Sequence, residues 1–202
     1  THAHLDHAGG AGALMQQCPR AILAIHPKGA SHMIDPARLA AGAMQVYGEA
    51  EFTATFGALV PVPQGRVLPL EDGSEIDLGG RVLRFLDTPG HANHHGCIYD
   101  RESRGCFTGD TFGIAYRELY SPQGPYLFAP TTPVAFDPQA WELSLDCLMA
   151  LDPQAMYLTH YGRLDRPADL VETLRHSIRT HAGMALAEAT HGCEGRLGRL
   201  RS

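Results

Sequence analysis

The chain opens with THAHLDHAGG (residues 1–10), and this stretch governs the interpretation of the whole sequence. Four side chains that can bind a metal ion fall within six residues, namely His2, His4, Asp6 and His7. Neutral imidazoles and a carboxylate are the ligands that suit Zn²⁺, and Fe²⁺ or Mn²⁺ accept a similar set. A lone histidine is usually an ordinary core or surface residue, but a cluster of this density indicates a metal site. The glycines that follow predict that the histidines lie on a loop before a short helix.

Composition limits the kinds of partner. The 202 residues are 44% hydrophobic and 19% charged, which predicts a single globular domain over residues 1–202. The net charge of −6 gives no general attraction for phosphate backbones, so no nucleic-acid partner is predicted. No apolar run is long enough to span a bilayer, so we expect no membrane association. The five scattered cysteines form no CxxC pair, which indicates reduced thiols and a cytoplasmic location.

Hydrophobic periodicity predicts an α/β layered domain. A short buried strand is expected at residues 21–25, and a β-meander at 67–70, 74–78 and 81–87, with turns at Asp72-Gly73 and Gly79-Gly80. A further strand pair is expected at 96–100 and 105–108, and a short strand at 156–158. Helices are predicted at 36–47, 141–150 and 168–189, the last burying Val171, Leu174, Ile178 and Ala185.

Three later motifs place further candidate ligands after strands. They are Thr88-Pro89-Gly90-His91, Thr108-Gly109-Asp110 and Leu158-Thr159-His160-Tyr161-Gly162. Together with THAHLDH, these motifs resemble the signature of the metallo-β-lactamase superfamily, in that family's order between residues 2 and 160. The resemblance implies a metallo-β-lactamase-like αββα sandwich. Since family members place several strands before the first motif, it also implies that this chain lacks the N-terminal strands.

The resemblance also implies a dinuclear zinc centre. One metal would be held by His2, His4 and His91, the other by Asp6, His7 and His160, and Asp110 would bind both. Asp6 and Asp110 are then the catalytic carboxylates, and a metal-bridging hydroxide would attack the substrate.

Two positions narrow the choice among the subfamilies. His4 stands where flavodiiron reductases have glutamate, and Asp110 stands where zinc β-lactamases have cysteine. What is left is the group similar to glyoxalase II and related thioesterases and lactonases, acting on a small ester, thioester or lactone. The alternatives are a mononuclear iron-dependent sulfur (persulfide) dioxygenase on the same fold and a non-catalytic metal-binding module. A small molecule is thus the expected partner, and a homodimer is an open alternative.

Several other residues have two interpretations. His94 and His95 are either partners of the metal ligands or surface residues. Tyr116 either binds a substrate oxygen or packs, and Arg117 and Arg163 either meet an anionic substrate group or do nothing specific. The Pro-rich segment 120–138, with aromatics Tyr120, Tyr126, Phe128 and Phe136, is expected to line the substrate pocket, form a subunit contact or pack against its own domain.

Overall fold

A six-stranded mixed sheet organises the part of the chain that the computed structural model describes, residues 1–130, 132, 135–191 and 195–199. The strands are β1 (Leu23–Ile25), β2 (Val67–Pro69), β3 (Glu75–Asp77), β4 (Val82–Asp87), β5 (Gly96–Asp100), β6 (Gly105–Gly109), β7 (Ala155–Leu158) and β8 (Gly162–Asp165). The α-helices are α1 (Leu5–Ala8), α2 (Ala11–Gln17), α3 (Pro27–Ile34), α4 (Ala37–Tyr47), α5 (Glu49–Thr55), α6 (Pro138–Met149), α7 (Val171–Ala189) and α8 (Arg196–Arg199). Single 3₁₀ turns lie at Gln64–Arg66, Arg117–Leu119 and Pro167–Asp169.

The large sheet has the strand order β3-β4-β5-β6-β7-β8. Neighbouring strands are antiparallel except β6 and β7, which are parallel because the chain returns through the long segment containing α6. It follows that β4, β6 and β7 all point the same way. Their carboxyl ends, from which the motifs of His91, Asp110 and His160 emerge, meet at one edge of the sheet.

The predicted three-stranded meander is wrong at its first strand. β2 pairs in parallel with β1 in a separate two-stranded sheet, with Leu23 opposite Val67 and Ile25 opposite Pro69. The reason is a tertiary contact made just before β2. The Arg66 guanidinium donates to the backbone oxygens of Met15, Cys18 and Ala21 at 2.6 to 3.0 Å, which holds this segment against α2 and β1.

The main core lies between the large sheet and helices α6 and α7. Trp141, Leu145 and Leu148 of α6 and Leu174 and Ile178 of α7 are fully or almost fully buried. Alternation along β6 sends Cys106 and Thr108 into this core and leaves Phe107 half-exposed. The predicted stripe on α7 is confirmed for Val171, Leu174 and Ile178 but is wrong for Ala185, because residues 183–187 near the end of the helix are all exposed.

A second, smaller cluster packs beneath the first ligand motif. Its buried members are Ala3, Ala8, Met15, Ile25, Ala30, Met33 and Val62. Helix α3, which the sequence interpretation missed, contributes to it and begins with Pro27 at its first position, where His26 Nδ1 accepts a hydrogen bond from Lys28 N. No helix of the described residues combines the length and apolarity that crossing a membrane would need.

Candidate metal centre

The first ligand motif lies partly on a helix and only partly on the predicted loop. His2 and His4 precede α1, whereas Asp6 and His7 belong to it. The correction follows from local hydrogen bonds, since the His4 carbonyl oxygen accepts from His7 N at 3.1 Å and from Ala8 N at 2.8 Å. Because of this single helical turn, the side chains of His2 and His4 and those of Asp6 and His7 point toward the same region.

One group of donor atoms forms around His4. His4 Nδ1 lies 2.8 Å from His2 Nε2 and 3.1 Å from His91 Nε2. His91 Nε2 lies 3.3 Å from Asp110 Oδ2. His2 and His91 are buried, with 1% and 2% of their surface exposed, so these atoms face one another away from bulk water.

A second group forms around Asp6. Its Oδ2 lies 3.3 Å from both His7 Nε2 and His160 Nε2. Asp110 Oδ1 completes this group, 3.3 Å from His7 Nε2 and 3.6 Å from His160 Nε2. The Asp6 side chain is 54% exposed and the His160 side chain 30% exposed, so this group faces the solvent side.

The structure therefore brings all seven candidate ligands together, with Asp110 between the two groups. Three sets of side chains have donor atoms close enough to hold a metal ion: His2, His4 and His91; Asp6, His7 and His160; and a linking set of His2, His7 and Asp110. Tetrahedral zinc with ligands at about 2.0–2.1 Å places its ligand atoms about 3.3 Å apart. The observed separations of 2.8 to 3.6 Å fit that requirement.

Two buried atoms of the site lack a hydrogen-bond partner. Within the described residues, His7 Nε2 and Asp110 Oδ1 are inaccessible to water and make no hydrogen bond of acceptable geometry. Leaving a buried polar atom unsatisfied is unfavourable by about 1–3 kcal/mol. A cation that accepts both lone pairs would remove that cost, so the donor set and its orphaned atoms fit a bound metal.

Burial controls the protonation of most imidazoles in the site. It lowers the pKa of His2 and His91, and it lowers the pKa of His4 to about 4. These rings are therefore neutral near pH 7, as metal ligands must be. For His7, burial opposes protonation, but the carboxylates of Asp110 and Asp6 outweigh it and raise the pKa to about 9.

The candidate ligands are held by partners outside the site. His91 Nδ1 lies 2.9 Å from the carbonyl oxygen of Pro130, so it carries the proton and donates, leaving Nε2 free to face the centre. His94 Nδ1 accepts from Ala3 N at 3.3 Å. His95 is fully buried, so its surface alternative is wrong. Pro130 and Ala3 were missed at the sequence level because backbone partners leave no side-chain signature.

Aromatic side chains and an ion pair lie on the segments that follow Asp110 and His160. The rings of Tyr116 and Tyr161 lie 4.5 Å apart, and Tyr116 stacks on Phe128 at 5.7 Å. Arg163 forms an ion pair with Asp165 at 2.6 Å. A cavity of about 480 Å³ adjoins the second donor group and is lined by Asp6, His7, Phe107, Tyr157 and Arg163 among others.

The Pro-rich segment 120–138 packs against its own domain in part. An isolated bridge joins Phe128 to Ile114, and Leu127 and Ala129 are buried, whereas Tyr120 and Tyr126 are 40% and 54% exposed. Residues 131, 133 and 134 of this segment lie outside the described residues. Its expected contact with substrate stays a prediction.

Comparison with known proteins gives a family and several relatives. The family model described as "Metallo-beta-lactamase superfamily" matches residues 1–160. A metallo-beta-lactamase fold-containing protein of Sulfurisphaera tokodaii is 29% identical over 181 residues, covering 88% of this chain and 64% of that protein. A hydroxyacylglutathione hydrolase of Synechococcus sp. is 29% identical over 111 residues (55% and 32%), and an acyl-coenzyme A thioesterase of Gallus gallus is 30% identical over 122 residues (54% and 39%). The chain thus spans less than two thirds of the length of these relatives.

Solved structures of metallo-beta-lactamase proteins also superpose on this chain. The crystal structure of an archaeal metallo-beta-lactamase superfamily protein from Sulfolobus tokodaii superposes with a TM-score of 0.69 at 28% identity, covering 87% of this chain and 65% of that one. A second crystal structure, of a protein in a di-iron-bound form, superposes with a TM-score of 0.56 at 26% identity, covering 87% and 74%.

Proposed function

Because the chain belongs to the metallo-beta-lactamase superfamily, we propose that it is a hydrolase that holds two zinc ions and cleaves a small ester, thioester or lactone. The position of Asp110 is the observation that most directly supports two metal ions. One of its carboxylate oxygens faces His91 of the first donor group, and the other faces His7 and His160 of the second. A single carboxylate shared in this way suits two cations better than one.

The ligand assignment follows from the two donor groups. His2, His4 and His91 would hold one ion together with Asp110 Oδ2, and Asp6, His7 and His160 would hold the other together with Asp110 Oδ1. When bound, divalent ions supply a Lewis acid that polarises a substrate carbonyl and lowers the pKa of water to near neutrality.

Asp6 is the residue best placed to act on the attacking water. The His7 imidazole, whose Nε2 lies 3.3 Å from Asp6 Oδ2, lowers the pKa of the Asp6 carboxyl to about 2, so this carboxyl is ionised at neutral pH. It is the most exposed carboxylate of the site and lines the adjoining cavity. It therefore accepts a hydrogen bond from the water and orients the oxygen toward the carbonyl carbon.

The surroundings of the cavity support an acyl substrate. Phe107 and Tyr157 stack at 4.9 Å and offer an apolar wall beside Asp6 and His7. Two of the relatives, the hydroxyacylglutathione hydrolase and the acyl-coenzyme A thioesterase, are named for the hydrolysis of thioesters. Thioesters are therefore the first substrates to test.

The experiment strips the purified chain of metal with a chelator and restores it separately with zinc, iron or manganese. Each form is assayed for metal content and for turnover of a hydroxyacyl-glutathione, an acyl-coenzyme A, an aryl ester and a lactone. Two ions per chain and metal-dependent hydrolysis are expected. One iron per chain with oxygen consumption on a persulfide would replace the proposal with the dioxygenase, and absence of bound metal would replace it with a binding module.

Two variants test the assignment of separate roles. Asp110→Ala should lose both ions and all turnover, because two cations would repel each other without the shared carboxylate. Asp6→Ala should lose chiefly one ion. Glu51→Ala, on the exposed side of α5, is the matched control and should behave like the unmodified chain. Equal metal loss from the Asp6 and Asp110 variants would contradict the assignment.

A further inference from the structure

We propose that His95 is a positioning residue that fixes the bridging carboxylate of Asp110 by accepting the Asp110 backbone N–H. This inference rests on the proposed metal site. The Asp110 N–H donates to His95 Nε2 at 3.1 Å, and the imidazole has no exposed surface. His95 thus contacts the backbone of the residue whose carboxylate lies between both donor groups.

Two threonine hydroxyls face the other ring nitrogen of His95. His95 Nδ1 lies 3.0 Å from Thr88 Oγ1 and 3.1 Å from Thr111 Oγ1. Since Nε2 accepts from a backbone N–H, the ring proton of neutral His95 must lie on Nδ1, which donates to these hydroxyls. Thr111 Oγ1 in turn lies 3.4 Å from the Thr88 carbonyl oxygen, to which it donates. The network leaves the ring one orientation and one tautomer.

The turn before Asp110 is built around this imidazole. Gly109 has a φ of +49°, and a Cβ at this position would lie 2.6 Å from His95 Nε2. The pairing of β6 with β7 also shifts register between Phe107 and Gly109. A bent strand end with no side chain at Gly109 is what allows the Asp110 N–H to reach the ring.

This hydrogen bond sets the direction in which the Asp110 carboxylate points. The Asp110 carboxylate must offer one oxygen to each donor group, so a rotation of its backbone would withdraw one oxygen from its ion. Partners of this kind typically change metal affinity by about 10–100-fold when they are lost. His95 is not among the residues that line the adjoining cavity, and it meets the site at the Asp110 backbone and at the ring of His2, whose centroid lies 4.6 Å away.

The test uses two substitutions of different reach. In His95→Gln, the amide oxygen extends to the place of Nε2 and can still accept the Asp110 N–H. In His95→Asn, the shorter amide reaches only the place of Nδ1, so the threonine contact is kept and the Asp110 N–H loses its acceptor. His176→Asn, at an exposed position of α7, is the matched control.

Zinc affinity is measured by chelator competition, and the hydrogen exchange of the Asp110 amide is measured in the metal-free chain. We expect His95→Asn to weaken zinc binding by about 10–100-fold and to expose the amide, and His95→Gln to stay within about threefold of the unmodified chain. Unchanged affinity and exchange in His95→Asn would overturn the inference, as would equal losses in both variants, which indicate packing alone. If the unmodified chain binds no zinc while its amide protection depends on residue 95, the proposed function fails and the positioning role stands.

Discussion

Gly90 directly precedes His91 and lies tightly against the backbone of α6. A Cβ added there would lie 2.4 Å from the Cα of Trp141, an approach that only a backbone shift can relieve. Its φ of +128° is also unfavourable for alanine. Holding alanine in a sparsely populated region costs about 1–3 kcal/mol, and overpacking typically costs about 1–3 kcal/mol more. Gly90→Ala should therefore reduce the free energy of unfolding by about 2–6 kcal/mol and displace His91.

Gly124 separates the two contributions. It has a similar φ of +118°, but a Cβ there would meet no atom within 4 Å. Gly124→Ala should therefore cost only the backbone share, about 1–3 kcal/mol. Urea denaturation of both metal-free variants measures the costs, and chelator competition measures zinc affinity, which should fall only for Gly90→Ala. Equal losses of stability in the two variants would contradict this prediction, because they would mean that the start of α6 yields to the methyl group.

Two further predictions concern ion pairs away from the metal centre. Asp100 is buried and paired with Arg81, which with other hydrogen bonds holds the pKa of its carboxyl below its usual range. A carboxyl whose pKa is lower in the folded chain than in the unfolded chain, where it is about 3.9, stabilises the fold above that pH. The stabilisation is lost as the pH falls through the pKa of the folded chain. Asp100→Asn should therefore cost about 1–3 kcal/mol at pH 7 and progressively less below about pH 4. A cost that stays constant down to pH 2 in urea titrations would contradict this. Arg175, with an 11% exposed side chain, pairs with Glu142 between α7 and α6, so Arg175→Met should cost about 1–3 kcal/mol. Arg179→Met, at an exposed side chain that pairs with the same Glu142, should cost at most about 1 kcal/mol. Equal unfolding midpoints of the two variants would contradict this difference.

The convergence of the seven candidate ligands could be predicted from sequence because each candidate follows a strand or stands in a dense motif. His91, Asp110 and His160 come after β4, β6 and β7, and these parallel-pointing strands bring their carboxyl ends to one edge. The α/β metallo-β-lactamase fold expected from the motifs is confirmed by the family model and the solved structures.

The rest depended on contacts between distant parts of the chain. β2 is a short apolar run that would suit a meander strand, yet Arg66 places it against β1 through backbone oxygens that no sequence pattern marks. His95 could not be separated from a surface residue, because its burial arises only when Gly109 and Thr111 close around it. Local patterns predict donors and strands, but not the acceptors that orient them.

A bridging role for Asp110 requires two ions in the site. Crystals of the full chain prepared with zinc and measured at the zinc absorption edge would locate each ion by its anomalous signal. Two peaks are expected, one among His2, His4 and His91 and the other among Asp6, His7 and His160, with an Asp110 oxygen directed at each. A single peak, or peaks that lie away from Asp110, would contradict the bridging role.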